Sequence, residues 1–284
     1  MQVQNDRLFV TYKPAGIGSN RYLGKIKRKY GVKKAGFSGT LDPFAKGVLI
    51  MAFGKYTKLF RFLKKAPKKY RATLWLGAES ETLDIEKISN PDILAPFDEN
   101  KIIKTIHSLE GNITYLPPKY CAKKIDGKKA YDLARSNQEV KLKEITSFVY
   151  KSTFLHYRHP FVTFEITISE GGYIRSIGHI ISQKLGVDGA LTALERLEEG
   201  NFIYEEEKAL DPLLFLDMPE NFYLKDEEDI LLGRKLKIVD FQNQNEGIYL
   251  VKLDKMFAII EIKDALVKYL LNGVNYANTI KKSG

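Results

Sequence analysis

Apolar positions recur along this chain with two alternating periods, and the changes of period divide it into strands and helices. Leu8-Phe9-Val10 predicts a short buried strand, closed by the turn Lys13-Pro14-Ala15-Gly16-Ile17-Gly18. Tyr22, Ile26 and Tyr30 then repeat at helical spacing, with Ser19 or Asn20 as the expected N-cap and Gly31 as the stop. Val48 to Phe53 is a continuous apolar run ended by Gly54, which predicts a strand, and 57–64 predicts a short helix. From Tyr70 the period is two, with Tyr70, Ala72, Leu74 and Leu76 on one face.

Residues 78–100 are polar and contain prolines, so a loop is predicted there. Asp98 is placed to cap a helix carrying Ile102, Ile103, Ile106 and Leu109, ended by Gly111. A strand over 120–125 should turn back at Asp126-Gly127, with a short helix over 130–135. Strands follow at 145–156 and 161–169, then a helix opened by Tyr173-Ile174-Arg175 and stopped by Gly186. Beyond an acidic stretch, strands are predicted near 236–241, 248–253, 257–262 and 266–271, with a domain boundary near 215.

Charge sharpens this picture. The 284-residue chain has a formal net charge of +10. Residues 13–71 hold 17 Lys and Arg against one acid, Asp42, whereas 195–229 hold 13 acids against Arg196, Lys208 and Lys225. So dense a positive field repels itself unless a polyanion binds, which points to nucleic acid. Cys121 is the sole cysteine, so neither a disulfide framework nor a cysteine zinc site can form within one chain, as suits a reducing cytoplasm. The four histidines lack metal-ligand spacing. No apolar run approaches the length of a membrane span, and Met1 to Asp6 lacks the apolar core of a secretory signal.

Asp42 lies in the glycine-punctuated stretch Gly36-Phe37-Ser38-Gly39-Thr40-Leu41-Asp42-Pro43-Phe44-Ala45-Lys46-Gly47. A lone carboxylate there can be a nucleophile, a general base or a turn cap, and an arbitrary Asp before Pro is most often the last. Glycosidic acid–base catalysis usually takes two carboxylates, and metal-dependent phosphoryl transfer takes several. No G-x-x-x-x-G-K-S/T loop is present.

The stretch Gly36 to Gly47 resembles the catalytic motif G-H-x-G-T-L-D-P-x-A-x-G of the TruB family of tRNA pseudouridine synthases. Further landmarks fall in that family's order. Lys13-Pro14, Gly16 and Ser19 resemble K-P-x-G-x-T/S-S; Lys69-Tyr70-Arg71 with Leu76-Gly77 resembles K-x-Y…L-G. Pro117-Pro118, Tyr120 and Ala122 with Gly127 to Arg135 resemble P-P-x-Y-S-A and the segment after it. Gly172 to Ser176 resembles G-T-Y-I-R-S/T, and Leu194, Arg196, Gly200 and Phe202 resemble L-R-R…G-x-F/Y. The resemblance spans residues 8 to about 215.

It implies isomerisation of the T-loop uridine at position 55 of tRNA, without cofactor or metal, by a cytoplasmic enzyme acting as a monomer. Asp42 would be the nucleophile, attacking either the uracil ring or the ribose C1′. Arg175 would pair with it, and Tyr70 would stack on the base and assist proton transfer. Tyr173 and Leu194 would line the base pocket, and Lys13, Lys64, Lys65, Lys68 and Lys69 would hold the RNA backbone. Two positions depart from the family pattern. Phe37 replaces the usual His that fills the space of the flipped base; it can stack but cannot donate a hydrogen bond. Glu195 replaces the first Arg of L-R-R, so that arginine's contact is not expected. The implied fold is α+β (mixed α/β). A catalytic domain over 1–215 would have a central, largely antiparallel sheet flanked by helices. A small β-rich module over 216–284, PUA-like in position and strand pattern, would help hold the acceptor stem. Two other readings stay open from the residues: a tRNA-binding or folding protein without catalysis, and a guide-RNA-dependent relative.

Overall fold

The computed structural model describes residues 6–89, 91–121, 124–125, 128–129, 136 and 142–276. The chain opens with β1 (Arg7–Lys13), α1 (Ser19–Tyr30), β2 (Ala35–Ser38) and β3 (Lys46–Phe53). Helix α1 ends as its sequence predicts: Gly31 takes φ 63°, and the N–H groups of Gly31 and Val32 close onto Arg28 and Lys27 carbonyls. Its start differs. Gly18 is the N-cap residue and no side chain caps the helix; Ser19 is engaged elsewhere. The helix expected over 57–64 is a 3-10 helix, Gly54–Arg61, held by buried Tyr56 and Leu59. Residues three apart eclipse in that geometry, which suits this pair of anchors.

There follow β4 (Lys68–Leu76), α2 (Glu99–His107), β5 (Gly111–Tyr115), β6 (Lys124–Ile125), β7 (Lys128–Lys129), β8 (Ile145–Arg158), β9 (Phe161–Ile168), α3 (Ile174–Leu185) and β10 (Gly189–Glu199). Asp98 caps α2 as expected, accepting from the Asn100 N–H at 3.0 Å. Strands β6 and β7 pair antiparallel, Lys124 with Lys129 and Ile125 with Lys128; the turn expected at Asp126-Gly127 lies outside the described residues. The helix expected over 130–135 lies outside the described residues. Next come β11 (Ala209–Leu210), α4 (Glu228–Leu231), β12 (Gly247–Lys252), β13 (Met256–Lys263) and β14 (Leu266–Asn275).

Nine strands form one sheet in the order β11-β1-β3-β10-β4-β9-β8-β5, with β2 also on β3. Its one parallel pairing of strands among the described residues is between β10 and β3, where Glu195 and Arg196 face Lys46 and Gly47; Asp84 adds an isolated parallel bridge to Leu191 of β10. The fold is therefore mixed α/β with a largely antiparallel sheet. Strand β10 is the longest of the strands the periodicity misses, the others being the short β2, β5 and β11. Gly-Ala-Leu-Thr-Ala-Leu-Glu-Arg-Leu-Glu-Glu is rich in good helix formers. Bulges between Leu191 and Ala193 and between Arg196 and Glu198 also break its alternation. Neighbours on both sides make it a strand regardless.

Helices α2 and α3 cover one face of the sheet. Ile102, Ile106, Ile177, Ile181 and Leu185 pack there on Leu74, Val162, Phe164 and Ile166. Helix α1 packs elsewhere, on Phe9, Leu49, Met51 and Phe53. Each such side chain contributes roughly 1.5–3 kcal/mol on burial.

The C-terminal strands form a separate three-stranded sheet, β12-β13-β14. The strand expected over 236–241 is instead a 3-10 turn at Ile238–Asp240, since Phe241 has only an isolated bridge to Tyr223 in place of a ladder. One apolar cluster joins Leu8, Val10, Val48 and Ile50 of the large sheet to Leu250, Phe257, Ile259, Leu271 and Val274 of the small one. The Tyr56 hydroxyl also donates to the Asn275 carbonyl at 2.8 Å.

Candidate active site

The loop between β2 and β3 is held in place by the turn after β1. The Gly16 N–H donates to the Pro43 carbonyl at 2.8 Å. Ser19 Oγ donates to the Leu41 carbonyl at 2.9 Å and accepts from the Leu41 N–H at 3.0 Å. Both neighbours of Asp42 are therefore fixed by backbone or near-backbone contacts. Inside the loop the Ala45 N–H closes on the Asp42 carbonyl at 3.1 Å.

Two glycines are required for steric reasons. Gly47 has φ +115°, and a Cβ there would lie 2.2 Å from the Arg196 carbonyl oxygen. Gly39 has φ +67° and sits directly over a buried ion cluster. In that cluster Glu199 pairs with Lys68 at 3.1 Å and with Arg196 at 3.2 Å. Arg196 also donates to the carbonyls of Val48 at 2.8 Å and Gly39 at 3.0 Å.

The Asp42 side chain keeps about a third of its surface, 34%. Its Oδ2 lies 2.9 Å from Arg175 Nε, as the sequence predicts. Arg175 is in the first turn of α3 and almost fully buried. Its NH1 donates to the Thr82 carbonyl at 2.8 Å and its NH2 to the Tyr120 carbonyl at 2.7 Å. The guanidinium is thereby aimed before any ligand arrives.

Arg175 also faces a second carboxylate that sequence reasoning missed. Asp84 Oδ2 lies 3.3 Å from Arg175 NH1. Asp84 Oδ1 accepts from Thr82 Oγ1 at 2.6 Å and from the Glu86 N–H at 3.0 Å. The one signal in the sequence is the clustering of Ser80, Thr82 and Asp84, short polar residues that fold a loop on itself. Those three side chains are buried, so the irregular stretch 78–89 has its own polar core; the loop expected over 78–100 gives way to α2 at Glu99.

Burial pushes the Asp42 carboxyl above its ordinary range. Arg175 and, less strongly, Lys13 oppose that shift, while Asp84 adds to it. Burial likewise lowers the Lys13 ammonium to about 8, with Asp42 opposing and Arg196 reinforcing.

A cleft of about 610 Å³ opens over Asp42 and is lined by Tyr70, Tyr173, Arg175, Leu194 and Lys68 among others. Five of the six residues expected to act on the base therefore meet in one place. Tyr70 and Leu194 are brought there by adjacent strands, β4 and β10. Tyr173 precedes α3, its N–H donating to the Tyr115 hydroxyl at 3.0 Å. Phe37 is not among the lining side chains; it packs half-buried against the apolar cluster beneath α1. Glu195 accepts from the Tyr12 hydroxyl and lies 3.5 Å from Lys46.

Two of the expected backbone-binding lysines are corrected. Lys13 is fully buried, its Nζ donating to the Pro14 and Ile17 carbonyls at 2.9 and 2.7 Å. Its ammonium is turned inward, and its charge lowers the Asp42 carboxyl. Lys68 is 8% exposed and tied to Glu199. Lys64, Lys65 and Lys69 pair at the surface with Asp217, Glu170 and Glu165. The acids absent from the local window thus arrive from distant segments. Arg21, Lys25, Arg28, Lys33 and Lys34 stay exposed on and after α1. Among the described residues no cluster of three or more His, Cys, Asp or Glu is placed to hold a metal ion.

A family model described as TruB family pseudouridylate synthase, N-terminal domain, matches residues 27–174. A protein of Sulfurimonas denitrificans named tRNA pseudouridine synthase B is 55% identical, over 95% of this chain and 99% of its own length. A Campylobacter jejuni protein of the same name is 46% identical, over 95% of this chain and 98% of its own. A solved Cbf5-Nop10-Gar1 complex contains a chain that superposes with TM-score 0.62 at 21% identity, covering 98% of this chain and 84% of that one. At that identity the likeness speaks for the fold alone.

Proposed function

Because this chain belongs to the TruB family of pseudouridylate synthases, we propose that it isomerises the T-loop uridine of tRNA, at position 55, to pseudouridine. The observation that carries the reading is the Asp42–Arg175 ion pair at 2.9 Å in a cleft lined by Tyr70, Tyr173 and Leu194.

The reaction breaks the bond between uracil N1 and ribose C1′ and makes one between C5 and C1′. A proton leaves C5 and one is gained at N1, so atoms and electrons balance without a co-reactant. Asp42 is the nucleophile, attached either to the ring or to C1′ while the base detaches and turns. Arg175 holds the carboxylate ionised against the burial that would protonate it. Tyr70 stacks on the flipped base and its hydroxyl faces the proton transfer; Tyr173 and Leu194 close the remaining walls. Base flipping costs a few kcal/mol, and an aromatic contact offsets about 1–3 kcal/mol of it. The T-stem backbone is held electrostatically by Lys64, Lys65 and Lys69, with the exposed cations of α1 as a second basic face. One protein chain acts on one tRNA, without guide RNA.

The test is purified protein alone with a T-stem-loop transcript, product being read by chemical labelling of pseudouridine. Product is expected from the wild-type protein and none from Asp42→Asn. Modification by Asp42→Asn would remove the nucleophile assignment. A need for added RNA would favour a guide-dependent enzyme.

A further inference from the structure

Strand β8 leaves the active cleft with two aromatic rings on its outer face. Ile145, Thr146 and Ser147 line the cleft. Side chains alternate across a strand, so Phe148 and Tyr150 continue the face begun by Thr146. Ser147 and Val149 point inward and are 2% and 1% exposed, whereas Phe148 and Tyr150 are 42% and 53% exposed. Phe148 lies roughly 7 Å along the strand from Thr146.

The lip is fixed from the opposite wall as well. The Phe148 N–H donates to Ser169 Oγ at 3.0 Å, and the Ser169 N–H donates to the Phe148 carbonyl at 2.9 Å. Ser169 directly precedes Glu170, Gly171 and Gly172, which also line the cleft. The two rings meet edge to face at 4.9 Å between centroids, leaving ring surface toward solvent. Lys151, also exposed, follows at a bulge opposite Thr167.

We propose that Phe148 and Tyr150 form a stacking platform for an unpaired base next to the target uridine. The inference rests on the isomerase reading above and deepens it. A uridine turned out of its loop deprives its neighbour of a stacking partner. Single-stranded loops are commonly recognised by stacking their exposed bases on aromatic side chains. Rings held two and four residues along the strand from Thr146, on the sheet face opposite Tyr70 and Leu194, with a cation beside them for a phosphate, supply such a surface to RNA that passes over the cleft mouth at the strand end.

The test uses full-length Asp42→Asn protein and a T-stem-loop with 2-aminopurine at the nucleotide on either side of the target, one at a time. Binding should quench one of the two probes. Adding Phe148→Ala with Tyr150→Ala should abolish that quenching and weaken binding about 5- to 150-fold, the range of one lost stacked base. Phe148→Trp should keep both. Unchanged quenching and affinity in the double variant, with an unchanged circular-dichroism melt, would overturn the platform. So would a fall in the sedimentation mass of the RNA-free double variant, which would make this face a contact between copies. Pseudouridine formation by the unsubstituted protein is measured in parallel. Quenching without product would support the platform while removing the isomerase reading.

Discussion

At the scale of single residues, the cleft balances burial against charge. Asp42 faces one guanidinium that must serve two carboxylates, Asp42 at 2.9 Å and Asp84 at 3.3 Å. Asp84 adds its charge to the burial that raises the Asp42 carboxyl. Asp84→Asn therefore has two consequences of opposite sense. Without the negative charge, Asp42 ionises more easily, so the acid limb of kcat/KM should move to lower pH. Without the ion pair, Arg175 is less firmly aimed, so the plateau should fall, on the order of 10²-fold if misplacement governs. A pH profile of single-turnover rates separates the two; an acid limb moving to higher pH would contradict the assigned sign. Lys13 acts in the other direction, lowering the Asp42 carboxyl, so Lys13→Met should move the same limb to higher pH.

At the scale of elements, one strand–loop junction decides whether Asp42 is presented at all. Gly47 lies where β3 meets β10, with no room for a Cβ against the Arg196 backbone. Gly47→Ala should cost at least about 3 kcal/mol, because backbone cannot move aside as a side-chain tip can. Gly24 is the internal contrast. It lies within α1 and a Cβ there would meet only Arg28 NH1, at 3.8 Å. Gly24→Ala should stabilise by about 0.5–1 kcal/mol through helix propensity and a less flexible unfolded chain. Urea unfolding of the two variants measures both, and equal effects would undo the steric argument.

At the scale of the whole molecule, the C-terminal sheet shares an apolar cluster with β1 and β3. The boundary proposed near 215 separates two sheets that share this cluster, while the C-terminal sheet packs its other face on a cluster of its own around Phe241, Tyr249, Val251 and Ile260. Chain 1–215 alone would expose Leu8, Val10, Val48 and Ile50 where they now meet Leu250, Phe257 and Leu271. Unfolding of the full chain should thus be one transition. Trp75, the sole tryptophan, lies in β4 and reports on the large sheet, while far-ultraviolet circular dichroism reports on both sheets. Coincident urea curves are expected; loss of dichroism ahead of the tryptophan signal would show an independent C-terminal unit.

The sequence alone determined what depends on neighbours within a few residues. The period-two run over 70–76, the stops at Gly31 and Gly186 and the Asp98 cap are local preferences, and the fold keeps them. The resemblance of the motif around Asp42 to the TruB pattern, with Tyr70, Tyr173, Arg175 and Leu194 in the family's order, implied a shared cleft before its walls were known. What depends on contacts between distant segments was decided by the tertiary structure. A helix-forming sequence became β10 because two strands flank it. Ser19 left its expected cap to hold Leu41. Lys13 and Lys68 left the basic surface because a buried ammonium is stable only with partners at short range: Lys13 finds them in the Pro14 and Ile17 carbonyls of its own turn once the fold covers it, and Lys68 in the distant carboxylate of Glu199. Asp84, 42 residues beyond Asp42, reached the same guanidinium for the same reason. Charge and burial act through space, and the order of residues along the chain does not record the distances.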